Sequence, residues 1–110
     1  MVKYKEQEAE MVKAVADKTR YDILDRLIKS RELSAGEIAE KYDMSFPAVS
    51  KHLRVLKDAQ LVSVEQIGRS KIYSPNITSV QRMSDWVHNA ELFWKGSLDN
   101  LAAYIESKEG

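Results

Sequence analysis

A chain of 110 residues, 44% apolar and 31% charged, is long enough for one folded core and too apolar to stay disordered. It contains no cysteine, which excludes disulfides, thiolate metal sites, iron–sulfur clusters and cysteine nucleophiles together. The formal net charge is 0, yet residues 45–75 carry Lys51, Arg54, Lys57, Arg69 and Lys71 against Asp58 and Glu65, a local +3 that the remainder offsets.

Four glycines and two prolines among many helix formers favour a mostly α protein. No run approaches the roughly 18 apolar residues of a membrane span. MVKYKEQEAE has no apolar stretch behind its lysines, unlike a signal peptide. A soluble cytoplasmic protein with no membrane partner is expected.

In chain order, residues 5–16 predict a first helix with Met11, Val12 and Val15 on one side. Residues 17–31 predict a second, with Asp17 as N-cap and Tyr21, Leu24, Leu27 and Ile28 as its buried stripe. SAGE, from Ser34 to Glu37, has the capping-box pattern and opens a short helix over about 35–42, with Ile38 and Ala39 inward. Ser45 caps a fourth helix whose first turn holds Pro47, where a missing N–H costs nothing. Its apolar seam is Val49, Leu53 and Leu56.

After Leu61 the period changes from helical to alternating, and two short strands around Gly68-Arg69-Ser70 predict a β-hairpin over 62–74. Pro75 and Asn76 end it, and Thr78 or Ser79 caps a last helix running to about Glu106. A short helix, a tight turn and a second helix make a helix-turn-helix over 34–59. The hairpin behind it is a wing. The expected fold is mostly α with a small β-hairpin, one domain over 1–110 flanked by long helices at 1–16 and 78–106.

The basic helix has the dimensions to lie in the major groove of DNA. Opposite its seam it presents Phe46, Pro47, Ser50, Lys51 and Arg54. Arg54 can pair with a guanine edge or grip phosphate, Lys51 can neutralise phosphate, and Ser50 lets the backbone come close. Phe46 and Pro47 suit thymine methyls, and the N–H groups behind the Ser45 cap suit a phosphate. A lone Lys/Arg face is usually just a solvated face. Here a capped short helix precedes it and a hairpin carrying Arg69 and Lys71 follows, which favours a DNA-reading surface with Arg69 reaching the adjacent minor groove or its phosphates. Phe46 also suits a winged helix that anchors a protein partner, and steep salt dependence would separate the two.

LSAGEIAEKYDMSFPAVSKHLRVLKDAQLVSVEQIGRSKIYSPN resembles the winged helix-turn-helix region of ArsR-like bacterial and archaeal repressors, and DKTRYDIL resembles the opening of their second helix. The resemblance spans about residues 14–77. It implies a homodimer that binds operator DNA and represses nearby genes, touching DNA through Ser45, Phe46, Pro47, Ser50, Lys51, Arg54 and Arg69. Arg20 would be a phosphate contact or part of a structural salt bridge. His52, where such repressors often have histidine, reads as a packing and hydrogen-bonding residue, with a phosphate contact as the other reading.

In the last helix Val80, Met83, Val87, Ala90, Trp94, Ser97, Leu101 and Tyr104 follow heptad spacing, and Trp86, Phe93, Leu98 and Ile105 widen the stripe to a second flank. One flank is expected to pack on its own domain. The other, with Met11, Val12 and Val15, is expected to meet a second copy through Val87, Ala90, Trp94, Leu98 and Leu101. Two-fold symmetry would then set two basic helices against a palindromic site.

Many ArsR-like repressors release DNA on binding metal, through cysteines or through Asp/His ligands on the last helix. This chain has no cysteine, and Asp85 and His88 with one histidine per helix are a thin donor set for zinc. The resemblance is therefore to a metal-independent member, with no metal or cofactor expected and metal sensing through Asp85 and His88 as the alternative. An unidentified small-molecule or protein effector is compatible with the sequence. There is no phosphate-binding glycine loop, nucleophile elbow or metal cluster, so no enzyme is expected.

Overall fold

The computed structural model describes residues 2–109. The outermost residues of the expected 1–110 domain therefore lie outside the described residues. In order, the elements are α1 (Val2–Val15), α2 (Lys18–Ser30), β1 (Leu33–Ser34), α3 (Ala35–Ala39), α4 (Phe46–Asp58), β2 (Val62–Ile67), β3 (Ser70–Pro75) and α5 (Ile77–Glu109). This is the mostly helical winged helix-turn-helix architecture that the sequence predicts.

The caps act as their residue types require. The Asp17 carboxylate accepts from the Arg20 N–H at 3.0 Å and starts α2. At α3 the Ser34 hydroxyl accepts from Glu37 N–H at 3.1 Å while the Glu37 carboxylate accepts from Ser34 N–H at 2.8 Å, a complete capping box. Those bonds hold the Glu37 carboxyl below its ordinary pKa, chiefly through the backbone N–H of Ser34.

The α2 stripe is rotated from its expected position. Ile23, Leu24 and Leu27 are buried, whereas Tyr21 and Ile28 stand 63% and 42% exposed. At 100° per residue the buried arc centres between Leu27 and Leu24, so Tyr21 and Ile28 fall on its flank. Helix α3 ends at Ala39 rather than about residue 42. Its last carbonyls are taken by Arg26, which donates to Ile38 and Glu37 oxygens at 3.1 Å each. The Arg26 guanidinium also lies 5.3 Å from the Tyr42 ring, and the Tyr42 hydroxyl donates to Asp22. Burial first, and then the Asp22 bond, raise the Tyr42 pKa. One arginine thus ties the turn of the helix-turn-helix to α2.

A strand that the sequence reading did not anticipate joins the wing. β1 pairs antiparallel with β3, Leu33 opposite Tyr73 and Ser34 opposite Ile72, giving a three-stranded sheet ordered β1-β3-β2. Two residues are too few to display a period. In the hairpin Ile67 opposes Ser70, so the loop is Gly68-Arg69 alone, with Gly68 at φ 62°. A side chain at Gly68 would be strained by that φ although nothing lies within 4 Å of it.

The core joins Met11 and Ala14 of α1, the α2 stripe, Ile38 of α3, Val49, Leu53 and Leu56 of α4, and Leu61, Val62 and Tyr73 around the sheet. Each Val, Leu, Ile or Met among them contributes about 1.5–3 kcal/mol on burial. The α4 seam is therefore the face that fixes the basic helix in place.

The last helix departs most from expectation. Its N-cap is Asn76, whose side-chain oxygen accepts from Ser79 N–H at 3.2 Å, while Ser79 itself is buried. It extends to Glu109, beyond the expected Glu106. Val80 and Met83 pack on the core, and Arg82 donates to Glu8 and Gln7 of α1. Beyond Ala90 neither flank lies on the body: Phe93, Trp94, Leu98, Leu101 and Tyr104 are all more than half exposed. The expectation that one flank packs on its own domain thus holds for the first turns only. At 1.5 Å per residue the helix simply outruns a body of this size, and the molecule measures 70 × 32 × 22 Å.

Candidate nucleic-acid interface

Helix α4 begins at the Ser45 hydroxyl, which accepts from Ala48 N–H at 3.3 Å, with Pro47 in the first turn. Phe46 is 55% exposed, Pro47, Lys51 and Arg54 are exposed, and Ser50 is half-buried. The single polar face expected from the sequence divides into two rows. Phe46, Ser50, Arg54 and Lys57 face the wing and line a cleft of about 620 Å³, whereas Ser45, Pro47 and Lys51 lie outside it.

The wing supplies the opposite wall. Val64 pairs with Tyr73 and Gln66 with Lys71, so all four share one sheet face, and all four line the cleft with Arg69 from the hairpin tip. Burial pushes the Tyr73 phenol up from its ordinary pKa, so it stays a donor. Among the described residues, no carboxylate lines the cleft. Glu65 falls on the opposite sheet face by alternation, and Asp58 lines a separate groove against α1. The sequence places Lys57 on the cationic side of the helix without naming it as a contact, and 46, 50, 54 and 57 are helical neighbours on one row.

Among the described residues, Lys51, Arg54, Lys57, Arg69 and Lys71 make no ion pair. Several cations elsewhere are engaged: Lys29 with Asp25 at 2.8 Å, Lys13 with Glu10 at 3.5 Å, and Arg82 with Glu8.

Arg20 and His52 are drawn into the body. Arg20 Nε donates to the Ala14 carbonyl at 2.6 Å, and its Nη1 lies 3.2 Å from His52 Nδ1. A guanidinium only donates, so Nδ1 accepts and the His52 proton sits on Nε2. Asp17 stands 4.0 Å from Arg20 and 3.9 Å from His52. This cluster links the end of α1, the start of α2 and the middle of α4, the structural alternative for Arg20.

Of the residues expected at a dimer contact, Trp94, Leu98, Leu101 and Val87 are exposed, and Val12, Val15 and Ala90 are half-buried. Met11 differs: it is 1% exposed and belongs to its own chain's core, so it has almost no surface to offer a partner. Helical phase explains it, since Met11 shares with Ala14 the α1 face that closes on the core. Asp85 and His88 are exposed on α5, and Asp85 accepts from Gln81 at 3.0 Å. Among the described residues no group of three or more His, Cys, Asp or Glu side chains could hold a metal ion.

No described helix is long and apolar enough to cross a membrane. Residues 15–65 match the family described as a helix-turn-helix domain. The chain is 42% identical over 77 residues to the transcriptional repressor SdpR of Bacillus subtilis (strain 168), covering 70% of this chain and 84% of that one. It is 36% identical to the HTH-type transcriptional regulator Rv2034 of Mycobacterium tuberculosis (strain ATCC 25618 / H37Rv), covering 86% and 85%. The solved ArsR-like transcriptional regulator from Rhodococcus sp. RHA1 superposes with a TM-score of 0.71 at 25% identity, covering 88% and 91%. With the winged fold and the unpaired basic face, these similarities make the chain a member of the ArsR-like winged helix-turn-helix family of DNA-binding transcription regulators, and not an enzyme.

Proposed function

We propose that this regulator is a cytoplasmic homodimeric repressor that binds a palindromic operator as one winged helix-turn-helix domain per subunit. The observation that carries the reading is the set of cations on α4 and the wing without ion pairs, beside carboxylates that turn away. Charges left free in a chain of net charge 0 suit a polyanion. On this reading Ser45, Phe46, Pro47, Ser50, Lys51 and Arg54 meet DNA from α4, and Arg69 and Lys71 meet it from the wing. Repression is favoured by the similarity to SdpR, named as a repressor.

Dimerisation is supported by the distal half of α5. Burying Phe93, Trp94, Leu98, Leu101 and Tyr104 would contribute on the order of 10 kcal/mol at about 2 kcal/mol each, comparable to the cost of association. Val12, Val15, Val87 and Ala90 would continue the contact toward the body. Control is proposed to need no metal, since Asp85 and His88 are two donors on an exposed helix face.

The test is a fluorescence anisotropy titration against the DNA upstream of the protein's own gene, at two salt concentrations, with competitor DNA and with zinc or chelator added. Tight, salt-sensitive, competitor-resistant binding unaffected by zinc supports the reading. Release by zinc would instead make Asp85 and His88 ligands shared between subunits. Absence of binding to any duplex at low salt would overturn the assignment of this face and turn attention to Phe46 as a protein anchor. Sedimentation of the free protein as a monomer at micromolar concentration would remove the dimer.

A further inference from the structure

The start of α4 presents Ser45, Phe46 and Pro47, yet none of residues 45–48 is buried; the seam that seats the helix begins only at Val49. That end of the helix is therefore placed by the turn before it, and the turn is held from α2. Arg26, half-buried, donates through Nη1 to the Ile38 carbonyl and through Nη2 to the Glu37 carbonyl, at 3.1 Å each. These bonds satisfy the end of α3. The same guanidinium lies 5.3 Å from the centre of the Tyr42 ring. The Tyr42 hydroxyl donates to the carboxylate of Asp22, one helical turn before Arg26 on α2. Only Asp43 and Met44 separate Tyr42 from the Ser45 cap, so a shift at Tyr42 passes to Phe46 and Pro47 with little chain to absorb it.

We propose that Arg26 and Tyr42 are positioning residues for sequence reading: the Asp22–Tyr42–Arg26 clasp sets where the start of α4 enters the groove and does not itself touch DNA. The inference rests on the DNA-binding reading above and deepens it. A recognition helix meets base edges with its first residues, and such a contact set works only when held to within about 0.5 Å. None of the three belongs to the proposed DNA contacts, and none lines the cleft between α4 and the wing. Burial, and then the Asp22 bond, hold the proton on the Tyr42 phenol, which keeps it a donor in the clasp.

Phosphate contacts carry no sequence information, so misplacing the start of α4 costs the specific complex and spares the non-specific one. Dissociation constants are measured for the duplex upstream of the protein's own gene and for a scrambled duplex of equal length, across a salt series. The full chain is compared with its Arg26→Met, Arg26→Lys and Tyr42→Phe variants, with fold and assembly checked by circular dichroism and sedimentation. Arg26→Met is expected to weaken the upstream duplex about tenfold, equivalent to roughly one lost base contact, with the scrambled duplex within about twofold and the salt slope unchanged. Tyr42→Phe keeps the ring against Arg26 and loses only the Asp22 bond, so the same selective loss is expected at about threefold. Arg26→Lys, still a cation able to donate to a carbonyl, is expected to recover part of the loss. Equal weakening of both duplexes in Arg26→Met, with a salt slope lower by about 1, would overturn the proposal by making Arg26 a phosphate contact. Wild-type affinity for both duplexes in a folded Arg26→Met, or in Tyr42→Phe should the former not fold, would overturn it by confining the clasp to stability. Failure of the unmodified protein to bind either duplex at low salt, or to prefer the upstream one, would instead overturn the DNA-reading assignment of α4 on which the clasp depends.

Discussion

Two surfaces of this molecule lack a partner within the chain, and they are bare for opposite reasons. The face formed by α4 and the wing is cationic, and water solvates it at no cost. The distal half of α5 is apolar, with Phe93 and Trp94 in edge-to-face contact with one another, 66% and 63% exposed. Water penalises that second surface, so it calls for a cover even before any function is exercised. The first waits for a polyanion; the second suits a permanent apolar contact. Each is also held at its root by a charged cluster, Asp17–Arg20–His52 behind α4 and Glu8–Arg82 beneath α5.

The largest effect should come from charging the apolar surface. Trp94→Glu with Leu98→Glu is expected to give a folded monomer by sedimentation. Operator affinity should then fall by about 100-fold or more, because two recognition helices no longer act as one ligand. An unchanged dimer would shift the interface to α1.

The second effect concerns the anchor of α5. Glu8 is 5% exposed and accepts from Arg82. Glu8→Ala is expected to cost about 1.5 kcal/mol, because it removes a charge-assisted hydrogen bond from a pair whose arginine stays partly solvated and keeps Gln7 as an acceptor. The urea midpoint at fixed protein concentration should fall with unchanged slope. A change below about 0.5 kcal/mol would mean that apolar packing of Val80 and Met83 alone roots the helix.

The smallest effect concerns the anchor of α4. The Asp17 carboxyl lies below the ordinary value, first through the hydrogen bond from Arg20 N–H, with the Arg20 charge adding to it against desolvation. A depressed pKa in the folded state means that the contribution is complete above the unfolded-state value and is lost as pH falls through the folded one. Asp17→Ala should therefore cost about 1 kcal/mol near neutral pH, with the gap to wild type closing below about pH 3.9. A gap that persists in acid would mean that the side chain acts by packing and not as a charged cap.

Much of this was legible in the residues themselves. Ser34, Ser45 and Asp17 announce helix starts because a short polar side chain has one local task there, satisfying an N–H two or three residues on. The Val49, Leu53, Leu56 seam is legible because helical period survives any tertiary context. β1 was not, since its two residues form a strand only where β3 offers an edge. Nor was the phase of α2, because Tyr21 and Ile28 are as apolar as their buried neighbours and only contact geometry separates them.

The sequence by itself determined the helix-turn-helix, the wing and the basic segment, since all three depend on local spacing, caps and charge. Tertiary structure alone decided which cations share a cleft. Sheet alternation turned Glu65 away and helical phase turned Asp58 toward α1, which left Lys57 beside Arg54. It also decided that Met11 belongs to the core while α5 projects with both flanks bare. Local pattern says that a residue is apolar or charged; only the distance between elements says what it faces.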